Sequence, residues 1–254
     1  MMKQLALALL VLLAGACAAR AQDAIQKRLA EGAAAYAAAD FSRAASVYEA
    51  LIKDGHADAT VLYNLGNTYF KSGKNTRSIL CYERALLLDP SDEQTADNLA
   101  IANARIRDRV ETMPLFFAVQ WWNDIKRAHT PSGLFCWSFG LLVATLALAF
   151  VFFGMHNVLL RRIALAMGNL AVLLFAASVF LYFDKVEDLE ARRDAIVTTG
   201  EVVARSTADK SGVDAFTVHE GLRVEITGER ADLVRIRLAD GTEGWVSEKA
   251  IERI

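Results

Sequence analysis

Leu62-Tyr63-Asn64-Leu65-Gly66-Asn67 and, further along, Tyr82-Glu83-Arg84-Ala85-Leu86-Leu87-Leu88-Asp89-Pro90 decide how this chain folds. Leu62, Leu65, Gly66 and Tyr69 fall on one face of a first helix, and Tyr82 and Ala85 on the facing side of a second. Gly66 and Ser78 are small where the two helices must approach, aromatic rings fill the space between them, and Pro90 stops the second helix. One period of about 34 residues before Gly66, Ser78 and Tyr82 stand Gly32, Ala44 and Tyr48. One period after Leu65 stands Leu99, inside a helical stretch from Thr95 to Arg107.

Spacing and residue types of this kind are those of the tetratricopeptide repeat (TPR), a helical hairpin that stacks on its neighbours. The expectation is an all-α TPR solenoid over 23–110, two repeats plus a capping helix. The first repeat is degraded, with His56 in place of the terminating proline. Most of the signature positions are packing positions and carry no chemistry. Binding in such a unit falls on the concave face, which the register assigns to Tyr36, Tyr63, Asn67, Lys71 and Arg105. Amides and cations there suit the backbone or carboxylate of a protein partner's peptide. The known clamp for a C-terminal carboxylate needs more: only Asn64 stands at one of its asparagine positions, and Leu29 and Ala33 are apolar where it needs polar groups. A groove for another peptide, pure packing and self-association stay open.

Two long apolar runs follow. Leu134 to Phe153 is twenty residues without a charge and Ile163 to Phe183 is twenty-one. Each is long enough for a hydrocarbon core of about 30 Å, and only Gly154 to Arg162 separates them. The expectation is a transmembrane hairpin, with helices over 134–153 and 163–183. No Asp, Glu, Lys, Arg or His lies inside either run, which disfavours transport or proton relay. Residues 1–21 read as a signal peptide: Lys3, the apolar Leu5 to Leu13, then Ala19-Arg20-Ala21 as the cleavage site. Lipid attachment at Cys17 is the alternative processing. An exported N-terminus places both soluble parts outside the bacterial inner membrane, in the periplasm, with Arg161-Arg162 in the cytoplasmic turn. Residues 111–133, with Pro114-Leu115-Phe116-Phe117 and Trp121-Trp122, read as an interfacial segment; packing on the TPR cap is the alternative. Asp184 to Arg193 reads as a charged helical spacer.

From about 194 the period changes to two. Ala195-Ile196-Val197, Val202-Val203, the alternations Leu222/Val224/Ile226 and Val234/Ile236/Leu238, and Gly244-Trp245-Val246 read as about five short strands. Asp240-Gly241 marks a hairpin turn. The expectation over 194–254 is a small all-β, closed SH3-like barrel with Trp245 in its core. Phe216 and Trp245 are too few aromatics for a proline-peptide groove; cell-wall peptidoglycan stays open as a ligand of this part.

Apolar residues make up 54% of the 254 and the formal net charge is −2, so no global field points to nucleic acid. The four histidines are scattered, and neither Cys81 nor Cys136 has a sequence-adjacent partner for metal or thiol catalysis. No enzyme, cofactor or metal is expected. The order of parts, with Leu62–Asn67, Tyr82–Pro90, Trp121-Trp122 and Gly244-Trp245-Val246, resembles the BatE-type aerotolerance family. That resemblance implies an envelope scaffold beside von Willebrand-domain Bat proteins and a MoxR-type ATPase, in a complex linked to oxidative-stress tolerance.

Overall fold

The structure, a computed structural model, describes residues 22–110, 116–191, 193–209 and 212–254. The expected signal peptide, Pro114, Leu115 and Arg192 lie outside the described residues.

Five helices build the N-terminal unit: α1 over 22–37, α2 (Phe41–Lys53), α3 (Ala59–Lys71), α4 (Asn75–Leu88) and α5 (Glu93–Asn103). Aspartates start three of them. The carboxylate of Asp40 accepts from the Arg43 N–H, that of Asp58 from Val61, and that of Asp92 from Gln94 and Thr95. These bonds satisfy amides that the first helical turn leaves without partners. Asp58 and Asp92 stand one repeat apart, which makes α5 the counterpart of α3. A Cβ on Gly66 would lie 2.5 Å from the Tyr82 ring, and one on Gly32 would lie 2.7 Å from Tyr48. Both rings are buried. The α1–α2 pair therefore keeps the same ring-over-glycine contact as the α3–α4 pair.

Three helices follow: α6 (Phe117–Ala128), α7 (Pro131–Gly154) and α8 (Val158–Ala191). Thr130 caps α7 through the Gly133 N–H at 3.1 Å, and Pro131 occupies its first turn. α7 and α8 pack side by side along a seam. Leu134, Ser138, Leu141, Thr145 and Leu148 line it on α7, and Ala164, Gly168, Ala171, Phe175 and Ser178 on α8. Alternating four- and three-residue steps keep each set on one face. The Ser138 hydroxyl donates to Ser178 across the seam at 2.9 Å. Both helices are long and apolar enough to cross a membrane, and only 11% of each apolar window is buried inside the protein.

α6 rests on the C-terminal part of α8. Trp122 Nε1 and Lys126 Nζ both donate to Asp184 Oδ2, at 3.1 and 3.0 Å, and the Trp122 ring lies 5.6 Å from that of Phe180. Trp122 thus packs on the apolar hairpin. Phe116, Phe117 and Trp121 remain exposed.

The C-terminal part is one antiparallel sheet of seven strands: β1 (Asp194–Val197), β2 (Glu201–Arg205), β3 (Asp214–His219), β4 (Arg223–Arg230), β5 (Leu233–Arg237), β6 (Glu243–Ser247) and β7 (Ile251–Arg253). Their order is β3-β2-β6-β5-β4-β1-β7, so β3 and β7 are edges and the sheet is not closed. This corrects the expected closed barrel of about five strands. The two added strands are the edges: β3 buries only Val218 and β7 is three residues long, so neither carries the apolar alternation that marks a covered strand. Trp245 is a second correction. Gly244 and Val246 face inward, and strand alternation therefore sends Trp245 outward, half-buried opposite Arg205 and Arg235.

The sheet is not spaced away from the helices. Ala195 and Val197 of β1 enter the sheet core, whereas Ile196 turns the other way into a cluster with Ile79, Leu80, Tyr82 and Ala102. Gly221 has φ +91°, and a Cβ there would lie 2.6 Å from Ile106; both its backbone and the close approach require glycine. Polar contacts frame this seam. Arg223 bridges Glu83 at 2.9 Å and Asp194 at 2.8 Å, and Arg84 reaches Glu252 at 3.0 Å and the Arg253 carbonyl at 2.7 Å. The Asp108 carboxylate takes the His219 backbone N–H at 2.6 Å and pairs with Nδ1 at 2.7 Å.

Gly66→Ala is expected to destabilise the helical unit by about 1–3 kcal/mol, the usual range for overpacking a filled core. Denaturant unfolding followed by circular dichroism checks it, and an unchanged midpoint refutes the ring-over-glycine contact as a determinant. Burial pushes the Cys81 thiol up to about 12, so it stays protonated and unreactive at pH 8. Alkylation of the detergent-solubilised chain at that pH is expected to mark exposed Cys136 and to spare Cys81 until denaturant is added.

Candidate functional site

α1, α3, α4 and α5 enclose a cavity of 260 Å³ lined by Tyr36, Asn67, Phe70, Lys71, Tyr82, Asn98 and Ile101. It lies between α1, α3 and α5. Tyr36, Asn67 and Lys71, assigned to the concave face from the repeat register, line it directly. Tyr63 stands one turn before Asn67 on α3, and its hydroxyl accepts from Asn98 Nδ2 at 3.4 Å. Arg105, just beyond α5, lies over the Phe70 ring with its guanidinium carbon 4.0 Å from the centroid. The structure therefore gathers all five around one groove.

Asn67 is the centre of a small hydrogen-bond network. Its Oδ1 accepts from the Tyr82 hydroxyl at 2.7 Å and from Asn98 Nδ2 at 2.9 Å. Two donors on one oxygen fix the orientation of the amide. Its Nδ2 has no partner among the described residues, so both amide hydrogens are available to a carbonyl entering the groove. Burial, and then Tyr63, hold the Tyr36 phenol above its ordinary value, and burial does the same for Tyr82. Both are therefore neutral hydroxyls at physiological pH. Lys71 is exposed, with no ion-pair partner among the described residues. The groove thus offers amide N–H groups, phenol edges and two cations, a set that suits peptide carbonyls and carboxylates.

Sequence reasoning missed Asn98, Ile101 and Phe70, and it took Tyr82 as packing alone. Asn98 stands one repeat after Asn64, so the forward step that found Leu99 could also have found it. Tyr82 does both jobs: its ring fills the gap over Gly66 while its hydroxyl orients Asn67. A second cavity, of 360 Å³, opens where α4, α6, α8 and the sheet meet. Glu83, Lys126, Arg193, Asp194 and Arg223 line it. Burial would lower Arg223, but Glu83 and then Asp194 outweigh that and hold it above its ordinary value. The arrangement is an ion-paired joint between the parts. Among the described residues no group of three or more His, Cys, Asp or Glu side chains could hold a metal ion.

Asn98→Leu removes the donor to Asn67 at 2.9 Å together with the long contact to Tyr63 at 3.4 Å, and is expected to cost about 0.5–1.5 kcal/mol, the range for one intramolecular hydrogen bond. Urea unfolding measures it, and a variant as stable as the parent would show that the network does not order the groove.

Among comparisons with known proteins, residues 59–92 match the tetratricopeptide repeat family. No curated protein matches the chain. The matched segment is α3, α4 and the turn that leads to α5, a non-catalytic repeat of the kind that mediates protein–protein interaction.

Proposed function

We propose that the chain is a membrane-anchored adaptor whose repeat groove holds an extended segment of a partner protein. The observation that carries this reading is the equipped groove: an oriented Asn67 amide with open donors, flanked by Lys71 and by Arg105 on Phe70. Main-chain carbonyls would bond to Asn67, and an acidic side chain or terminus would lie toward the two cations.

The membrane anchor is supported by the exposure of α7 and α8. A core helix of a soluble protein is covered by its own chain, whereas most of the apolar surface of these two has nothing over it. The export-type N-terminus supports an orientation with repeat and sheet on the periplasmic side of the bacterial inner membrane. The exposed Phe116, Phe117 and Trp121 suit the headgroup layer. The sheet reads as an SH3-like module that braces α4 from behind. The resemblance to BatE-type proteins supports partners with von Willebrand-type domains, in a Bat/MoxR-type complex tied to oxidative-stress tolerance.

Crosslinking and affinity purification from intact membranes, with partners identified by mass spectrometry, tests this reading. Lys71→Glu is expected to lose the partner recovered with the parent chain by tenfold or more, with crosslinks in the parent mapping to α3 and α5. Equal recovery by the variant would remove the groove as the binding site.

A further inference from the structure

α8 carries a second stripe that α7 does not cover. Ala166, Asn169, Leu173 and Ala176 follow one another at steps of three, four and three, and all four are exposed. At 3.6 residues per turn they share one face, opposite the Ala164, Gly168, Ala171 and Phe175 seam that packs on α7. At its outer end the stripe meets Phe180, which lies against Trp122. Asn169 stands six residues inside the apolar run that begins at Ile163, and its side-chain amide has no hydrogen-bond partner among the described residues.

The following rests on the membrane-spanning reading of α7 and α8. At that depth, roughly 9 Å from the end of the run at 1.5 Å per residue, hydrocarbon offers an amide neither donor nor acceptor. We propose that this face of α8 is the interface between two copies of the chain in the bilayer, with the two Asn169 amides hydrogen-bonded across a two-fold axis. An amide carries both a donor and an acceptor, so its partial charges complement those of a second amide. A two-fold interface places the same residue opposite itself, and two chains inserted in the same direction hold Asn169 at equal depth. Ala166 and Ala176, on either side, let the helices come close. One polar residue within a heptad-spaced apolar stripe also fixes register and the number of helices.

The test uses the full chain, donor- and acceptor-labelled and reconstituted in phospholipid vesicles, with energy transfer followed on lipid dilution. The parent is expected to pair; Asn169→Leu is expected to weaken pairing about tenfold, Asn169→Gln to retain it, and Ala166→Phe to abolish it. Ala147→Phe, on an exposed part of α7, is expected to leave pairing unchanged. Alkaline carbonate extraction of the same membranes reports insertion independently. A carbonate-resistant chain that stays monomeric, or that pairs equally well as Asn169→Leu, overturns the proposal alone. A chain stripped by carbonate overturns the membrane reading and the proposal with it.

Discussion

The ring of Tyr82 in the gap over Gly66 is the contact on which the rest of this molecule depends. It sets how closely α3 and α4 approach, and its buried position fixes the rotation of α4. That rotation aims the Tyr82 hydroxyl at Asn67 on one side and presents Ile79 and Leu80 to Ile196 on the other. One side chain thus ties the inner packing of a repeat to the groove and to the seat of the C-terminal sheet. A slightly larger residue at 66 would disturb all three, because a close-packed interior has no slack to absorb a methyl group.

The repeat over 59–92 and the helical pair before it were legible in the sequence because their packing is periodic. Gly32, Gly66, Tyr48 and Tyr82 can be found by counting, and the contacts they make are local. The apolar hairpin was legible for a simpler reason, since long charge-free runs need no partner to be recognised. The strands with strong alternation were legible too. What escaped was decided by contacts far apart in the chain. The edge strands β3 and β7 have weak patterns because little covers them. Gly244-Trp245-Val246 was read as a strand correctly, but its phase depended on which neighbour needed room: Gly244 lies against Phe216 and Ala204, and Trp245 turned outward in consequence.

The docking of the sheet on α4 had a sequence signal that repeat reasoning masked. From Ser78 to Glu83 every residue is buried, whereas a helix at the side of a two-layer solenoid needs only one apolar face. Ile79 and Leu80 were surplus to the repeat and announced a second neighbour. The groove was legible in its main-chain register but not in its network. Asn98 belongs to the capping helix, where the repeat signature fades, and its role follows from meeting Asn67 across a helix pair.

α8 runs without a break from Val158 to Ala191 and hands the chain to β1 almost at once. The charged end, eight residues beyond Phe183, extends it by roughly 12 Å. With β1 wedged against α4 and Arg223 pinning both, the sheet that follows this helix is joined to the repeat groove. The sheet is therefore the link through which the apolar hairpin and the groove share one frame.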